Sequence, residues 1–345
     1  MKVLHLLQSN RFSGAENVVC QIVDMMRNHP EYEMVYCSAD GPIREALQER
    51  NVTFVPMKKL SIRELRRVLK QEKPDVIHAH DMGASFFAAL VCGKTKLVSH
   101  IHNNAFDSRG VSPKAVAYLL AARKAVRIFW VSSSACKGYR FQRLVKNKSV
   151  LLHNIIRVES LYQRLALDTN TYPYDAVFLG RLTYPKNPQR LMQVFAKVVA
   201  KKPDVKLAVI GQGDLETETK ALATQLGLDS NISFLGFQSN PLKILHDAKV
   251  MVMTSRWEGL PMCVLESLAV GTPIVSTPTD GTQERVEEGK NGFLSDDDET
   301  LAERIVEILT DEALYDQLST YAKEKSLETN NSTAYCQKLM EAYRK

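Results

Sequence analysis

Two glutamates, an arginine and a lysine carry the chemistry most legible in this sequence. Glu258 and Glu266 lie in the stretch Ser255-Arg256-Trp257-Glu258-Gly259-Leu260-Pro261, which continues through Glu266 to Gly271 and Pro273. An apolar run over 250–253 delivers the chain to this turn. A helix is predicted to start at Pro261, because its fixed φ and missing N–H suit a first helical position. The amides of Gly259, Leu260 and Pro261's successor then meet the positive end of a helix dipole, which favours an anion. Glu258 precedes those donors and Glu266 lies more than a turn inside the helix. One carboxylate can reach the group beyond the anion, the other something polar behind it. Hydroxyls, then a diphosphate, then a ribose have that layout. Gly180-Arg181-Leu182-Thr183-Tyr184-Pro185-Lys186-Asn187 follows another predicted strand. Its two cations, Arg181 as a planar fork and Lys186 as a mobile point charge, can close over a diphosphate from one side.

The elements that must position these groups alternate along the whole chain. Short apolar runs are predicted as strands near 3–7, 33–37, 53–55, 76–79, 97–101, 128–131 and 150–152, with amphipathic helices over 14–28, 43–50, 62–71, 84–92 and 113–125. Alternation of this kind predicts a parallel α/β architecture. Periodicity fades over 154–173, where a hinge is expected. A second set of strands is expected at 176–179, 206–210, 232–235, 250–253 and 273–276. The organisation predicted is two doubly wound Rossmann-like domains, residues 1–165 and 170–328. Ligands of such sheets bind outside the carboxyl ends of the strands, here in a cleft that the two domains face across.

The Glu258-x7-Glu266 spacing followed by Gly271 and Pro273, together with Gly180-Arg181-Leu182 and Lys186, resembles the donor site of the retaining family-4 glycosyltransferases, also called glycosyl transferases group 1. The resemblance covers nearly the whole chain. It implies the GT-B architecture, with the last helix (about 330–345) crossing back onto the first domain. It assigns Glu258 to donor-sugar hydroxyls, Gly259, Leu260 and Pro261 to phosphate, Glu266 to the ribose, and Arg181 and Lys186 to the diphosphate. Gly236 and Phe237, in Phe234-Leu235-Gly236-Phe237, correspond to the segment that meets the base. Ser13-Gly14 stands where the family carries Gly-Gly; Gly14 keeps the residue that lets backbone approach the donor phosphate, and Ser13 departs from the pattern. Asp280-Gly281 likewise departs from a Gly-Gly start.

Other motifs admit plainer readings. Gly211-Gln212-Gly213-Asp214 reads as a tight turn with Asp214 as helix N-cap, and Gly213 lines the donor cleft in the family. Glu216 stands at the third position of a Gly-x-Gly-x-x-Gly pattern, which disfavours a dinucleotide site. His78 and His80, and His100 and His102, each end a strand, and alternation sends both members of a pair to one side. No Cys or carboxylate stands at companion ligand spacing, so zinc is not expected. The resemblance assigns His102 to donor sugar and phosphate, and leaves His78, His80 and His100 structural or on the acceptor side. Asp296-Asp297-Asp298 reads as a helix cap, not a manganese site. No metal and no cofactor is expected.

Composition bounds the class. With 345 residues, 45% apolar and 24% charged, the chain is long enough for two globular domains and too apolar for disorder. No run approaches the ~20 apolar residues of a spanning helix, and the amino terminus does not have a signal-peptide pattern. The six cysteines form no close pair, so neither a disulfide framework nor a zinc site is indicated; a cytoplasmic protein is expected. Residues 1–170 carry 26 Lys+Arg against 14 Asp+Glu, and the remainder 19 against 25. The basic residues gather over 58–73 and 123–148, compatible with an anionic membrane surface at the inner face of the cell membrane. Aromatics are not interleaved among them, so nucleic acid is not the expected partner. The resemblance thus implies transfer from a nucleoside-diphosphate sugar, UDP-sugar favoured, to a glycan or polyprenyl-linked acceptor, as in capsule or other surface-polysaccharide assembly. The rivals are a nucleotide-sugar 2-epimerase of the same fold, a non-catalytic glycan-assembly subunit, and a dinucleotide-dependent oxidoreductase.

Overall fold

A computed structural model describes residues 1–102 and 108–345. The chain divides into two compact units, Met1–Arg157 with Asn331–Lys345, and Val158–Asn330.

In the first unit the described strands are β1 (Lys2–Leu6), β2 (Glu33–Ala39), β3 (Phe54–Met57), β4 (Val76–His80), β5 (Lys96–Ile101), β6 (Arg127–Trp130) and β7 (Ser149–Leu151). All pair in parallel, in the order β3-β2-β1-β4-β5-β6-β7. Central strands are buried along their whole length, as parallel strands covered on both faces must be. Leu4, Leu6, Ile77, Leu97, Ile128 and Trp130 form the sheet's share of the core. The helix Ile62–Glu72 is capped by Ser61, whose side chain accepts from the Glu64 amide, and it buries Leu65 and Val68 in that core. The carboxy-terminal helix Ser332–Arg344 belongs to this unit. Tyr343 is fully buried, and its hydroxyl lies 2.8 Å from His78 Nδ1. Lys96 Nζ donates to the Tyr343 and Arg344 carbonyls, which ties the helix end to β5.

The second unit holds β8 (Ala176–Leu179), β9 (Leu207–Ile210), β10 (Ile232–Gly236), β11 (Val250–Met253), β12 (Ile274–Ser276) and β13 (Gly292–Leu294). These too are parallel, in the order β10-β9-β8-β11-β12-β13. Both sheets therefore wind outward from a central strand and then restart on its other side. The restart falls between β1 and β4 in the first sheet and between β8 and β11 in the second. At such a switch point the adjoining loops diverge and leave a crevice at the strands' carboxyl ends.

Three local expectations need correction. The segment expected to be an irregular hinge contains a helix, Val158–Ala166, with Val158 and Leu161 buried. Two apolar contacts on nine residues give too weak a periodicity to stand out from the polar residues around them. β13 went unforeseen because three residues, Gly292–Leu294, are too few to show alternation. The helix expected from 84 begins at Asp81, directly after β4.

Candidate functional site

The loops leaving β8 and β11 meet at the second sheet's switch point, and side chains bind them together. Thr254 Oγ1 donates to the Asn187 carbonyl at 3.1 Å, and Arg256 Nη2 to Asn187 Oδ1 at 3.0 Å. The Arg256 amide donates to the Pro185 carbonyl, and its guanidinium lies 4.5 Å from the centre of the Tyr184 ring. Asn187 can take this position because it adopts left-handed backbone geometry, φ 52°. Between the clasped loops Lys186 Nζ meets Glu258 Oε1 at 2.5 Å, with the two side chains 17% and 11% exposed. Ser255 Oγ donates to the same carboxylate oxygen at 2.7 Å. Burial works against the lysine's charge, yet Glu258 beside it prevails and the Lys186 pKa is raised. A cation held in a largely dry pocket against one hydroxyl-oriented carboxylate can meet an incoming anion while the carboxylate turns to hydroxyl groups.

The loop after β9 closes the other flank. Leu182 N donates to the Gln212 carbonyl and Leu215 N to the Leu182 carbonyl. A Cβ on Gly213 would lie 2.0 Å from Leu182 O, so only glycine permits this approach. Gly213 is thus required by the fold whatever it does to a ligand. Asp214 is not the cap of the following helix: Leu215 holds that position, and no side chain caps it. The backbone zipper to Leu182 has advanced the helix start to Glu216.

Pro261 lies at the cap of the helix Met262–Val270, with ψ 132°, rather than inside its first turn. The reason is packing: the Gly281 backbone comes so near that a Cβ there would sit 2.2 Å from Gly259 O. The helix is buried throughout, Glu266 included. Leu260 and Gly259 are buried as well, whereas Arg181 and Phe237 are exposed. The structure thus brings Lys186 and Glu258 into direct contact. Gly259, Leu260, Pro261 and Glu266 follow in the same loop and helix; Arg181 and Gly213 lie on the loops beyond β8 and β9, Gly236 ends β10 and Phe237 follows it. Gly14 opens the helix Gly14–Met26 of the first unit, and a Cβ there would meet nothing within 4 Å.

Sequence reasoning missed Ser255, Asn187, Thr254 and Arg256, and read Gly281 only as part of a departure from a Gly-Gly start. Ser255, three residues before Glu258, was the one visible signal; the others act through loops distant in sequence. The acidic triplet is structural. Asp297 caps the helix Asp298–Thr310 through the Thr300 amide, while Asp296 and Asp298 both bind Arg190, at 2.8 and 2.7 Å.

His102 lies in the first unit, within a group of five of the chain's eight histidines. His5, on β1, joins His78, His80, His100 and His102, and all five are buried. Two overlapping sets, His5-His78-His80 and His80-His100-His102, bring ligand-type nitrogens within 4.8 Å of one another. Yet His80 Nδ1 and His102 Nε2 stand 2.7 Å apart, with the rings only 18° from parallel. Two nitrogens on one tetrahedral ion, bound at 2.0–2.1 Å, stand roughly 3.3 Å apart with ring edges converging. The observed contact is a hydrogen bond. Burial pushes the pKa of His5 and of His102 down to about 3, and lowers those of His78, His80 and His100 well below the ordinary range.

Comparison with known proteins agrees with this arrangement. The family description Glycosyltransferase Family 4 matches residues 12–160, and Glycosyl transferases group 1 matches residues 163–325. An uncharacterized glycosyltransferase of Methanocaldococcus jannaschii is 29% identical over 62% of this chain, which spans 58% of that protein's length. The Escherichia coli UDP-Gal:alpha-D-GlcNAc-diphosphoundecaprenol alpha-1,3-galactosyltransferase is 23% identical, over 99% of this chain and 96% of its own. The crystal structure of Anabaena Alr3699/HepE in complex with UDP-glucose superposes with a TM-score of 0.84 at 21% identity, covering 99% of this chain and 98% of that one. Two matched descriptions covering successive halves, a twice-wound parallel fold and a switch-point loop bearing the Glu258–Glu266 signature converge on one assignment: the chain belongs to the group 1, family-4 glycosyltransferases, with the GT-B fold.

Proposed function

We propose that this protein is a retaining, metal-independent glycosyltransferase that moves a sugar from a UDP-sugar to a glycan or polyprenyl-linked acceptor in surface-polysaccharide assembly. One observation carries the reading: the half-buried Lys186–Glu258 pair, held between the β8 and β11 loops at the switch point. In the reaction the bond from the anomeric carbon to the diphosphate oxygen breaks, with its electrons leaving on the nucleotide. The acceptor oxygen bonds to that carbon from the same face, and its proton passes to the departing phosphate. Arg181, Lys186 and the amides around 259–261 would stabilise the charge that grows on the diphosphate, the role a metal plays in other solutions to this problem. Glu258 and His102 would orient the sugar, Glu266 the ribose, Gly236 and Phe237 the base, and Gly14 and Gly213 would admit the phosphates. Support for a lipid-linked acceptor comes from the relatives: besides the E. coli enzyme, a Campylobacter jejuni protein 28% identical over 53% of this chain is an N-acetylgalactosaminyltransferase named for a diphospho-undecaprenol-linked acceptor.

The acceptor side brings in the basic first unit. Among the described residues no helix is long and apolar enough to cross a membrane. Of the two basic stretches, 58–73 spends its apolar face on the core, through Leu65 and Val68. The stretch 123–148 instead leaves Leu144 62% exposed among Arg123, Lys124, Arg143 and Lys146, with Leu120, 58% exposed, just before it. Exposed leucines among cations suit an anionic lipid surface, and this stretch is the better candidate for one.

The test is transfer by the purified protein with UDP-, GDP- and ADP-sugars, a polyprenyl-diphosphate glycan acceptor, and anomeric configuration read by NMR. An α-linked product from an α-UDP-sugar is expected. Inversion would overturn the retaining assignment, and conversion of donor alone would identify the 2-epimerase. Sedimentation with liposomes with and without anionic lipid checks the surface; equal binding to both would argue against it.

A further inference from the structure

Three of the five histidines are arranged as a directed row, and its direction can be read from its ends. His5 Nδ1 lies 3.0 Å from His80 Nε2, and His80 Nδ1 lies 2.7 Å from His102 Nε2. Ring centroids 5.3 and 5.0 Å apart, with rings 29° and 18° from parallel, place the three edge to edge. His78 and His100 pack against the row, with centroids 4.5 Å from His80 and 4.3 Å from His102. A neutral imidazole has one donor and one acceptor nitrogen, so each hydrogen bond passes its direction to the next ring. Desolvation keeps all the rings neutral, which is what this coupling requires.

At the inner end His5 Nε2 lies 3.4 Å from the Met34 sulfur. A thioether accepts and never donates, so this contact is a hydrogen bond only with the proton on His5 Nε2, and that assignment sets the direction of the row. His5 Nδ1 must then accept from His80 Nε2–H, and His80 Nδ1 must accept from His102 Nε2–H. The reverse order would set a lone pair against sulfur and leave a buried N–H on His102 with no partner. Orphaned buried donors are rarer than orphaned acceptors. At the outer end His102 Nδ1 is buried and has no hydrogen-bond partner among the described residues. The backbone of His102 is pinned separately, its amide donating to Asp81 Oδ1 at 2.9 Å.

We infer that His5 and His80 are positioning residues that lock His102 in its Nε2–H tautomer and leave its buried Nδ1 a bare acceptor, the form that a hydroxyl of the donor sugar would require there. The hydroxyl's identity as part of a donor sugar rests on the function proposed above; the direction of the row does not. The same row explains why a histidine stands on β1, with β4 between it and the strand that His102 follows, where an apolar residue would otherwise pack.

The tautomers can be read without any donor. Long-range 1H–15N correlation spectra of the full chain with 15N-labelled histidine should show His5, His80 and His102 all protonated at Nε2; protonation of His102 at Nδ1 would overturn the inference. His80→Leu removes the acceptor, and His102 should then shift toward the Nδ1–H form, with transfer slowed about tenfold or more and the KM for donor changed less than kcat. His80→Asn, whose amide oxygen can still accept from His102 Nε2–H, should recover most of that loss and the original tautomer. An unchanged His102 tautomer in His80→Leu, or transfer equal to wild type once the tautomer has shifted, would each refute the positioning role. If the wild-type protein transfers no sugar at all, the proposed activity fails while the spectra still decide the direction of the row.

Discussion

The two switch points are built on the same winding scheme and filled with opposite chemistry. Around the first, on β1, β4 and the end of β5, the chain places neutral imidazoles, all buried, with His5, His80 and His102 hydrogen-bonded in a row. Between β8 and β11 it places an ion pair, Lys186–Glu258, clamped by loops that only glycine lets close. Topology decides where a crevice opens, whereas loop composition decides what it can hold. A neutral row is suited to hydrogen-bonding a polyol, and a clamped cation to receiving a diphosphate.

The largest expected contrast is in response to pH. The five imidazoles have folded pKa values below the unfolded value of about 6.5, so the unfolded chain binds more protons once pH falls beneath that value. Their contribution to stability is complete above about 6.5 and is lost progressively as pH falls toward the folded values, about 3 for His5 and His102. Each ring then costs about 1.4 kcal/mol per pH unit, and several together rival the ~5–15 kcal/mol of an ordinary domain. Lys186 behaves in the opposite sense: its raised pKa gives stability present below its unfolded value and lost as pH rises through the folded one. Each unit carries one tryptophan, Trp130 in the first and Trp257 in the second. Urea unfolding of Trp257→Phe and Trp130→Phe between pH 7 and 4.5 should therefore show the first unit failing earlier in acid. Parallel loss in both would contradict the contrast.

Next in size is Lys186→Ala, which should lower turnover by about 10²–10³ while circular dichroism stays native; near-normal turnover with purified donor and acceptor would remove Lys186 from the diphosphate site. Glycine substitutions sharpen the comparison further. Gly213→Ala forces a Cβ to within 2.0 Å of Leu182 O and should destabilise the second unit by about 1–3 kcal/mol or more. Gly14→Ala enters open space and should leave stability within about 0.5 kcal/mol, with slower transfer if phosphate approaches there. Equal melting of both variants would show that the close approach at Gly213 is not a constraint. The smallest effects should be alike in the two units. Ser112→Ala and Asp297→Ala each delete one N-cap hydrogen bond and should cost ~1 kcal/mol by thermal denaturation. A marked inequality would mean that one cap does more than end its helix.

Much of this molecule was legible from order alone. Continuous apolar runs such as 250–253 fix buried parallel strands because both faces must be covered, and β8 and β11 begin and end where those runs do. The Glu258–Glu266 spacing and the Arg181–Lys186 pair also sit within short segments, so local sequence announces them. The helix Val158–Ala166 and β13 were hidden because neither repeats a pattern often enough to rise above its surroundings.

What the sequence could not state is which segments become neighbours. Nothing near Glu258 reveals that Lys186 lies 2.5 Å away, nothing near Gly213 that a distant carbonyl excludes a Cβ, and nothing near His102 that His5 joins its row through His80. Periodicity and spacing arise from forces between residues a few positions apart, and these determined the strands and the twice-wound class. Ion pairs, glycine clearances and the direction of a hydrogen-bonded row depend on packing between segments far apart in sequence, 75 residues for His5 and His80 and 108 for Arg190 and Asp298. Those were decided only when the sheets brought β1 against β4 and β8 against β11.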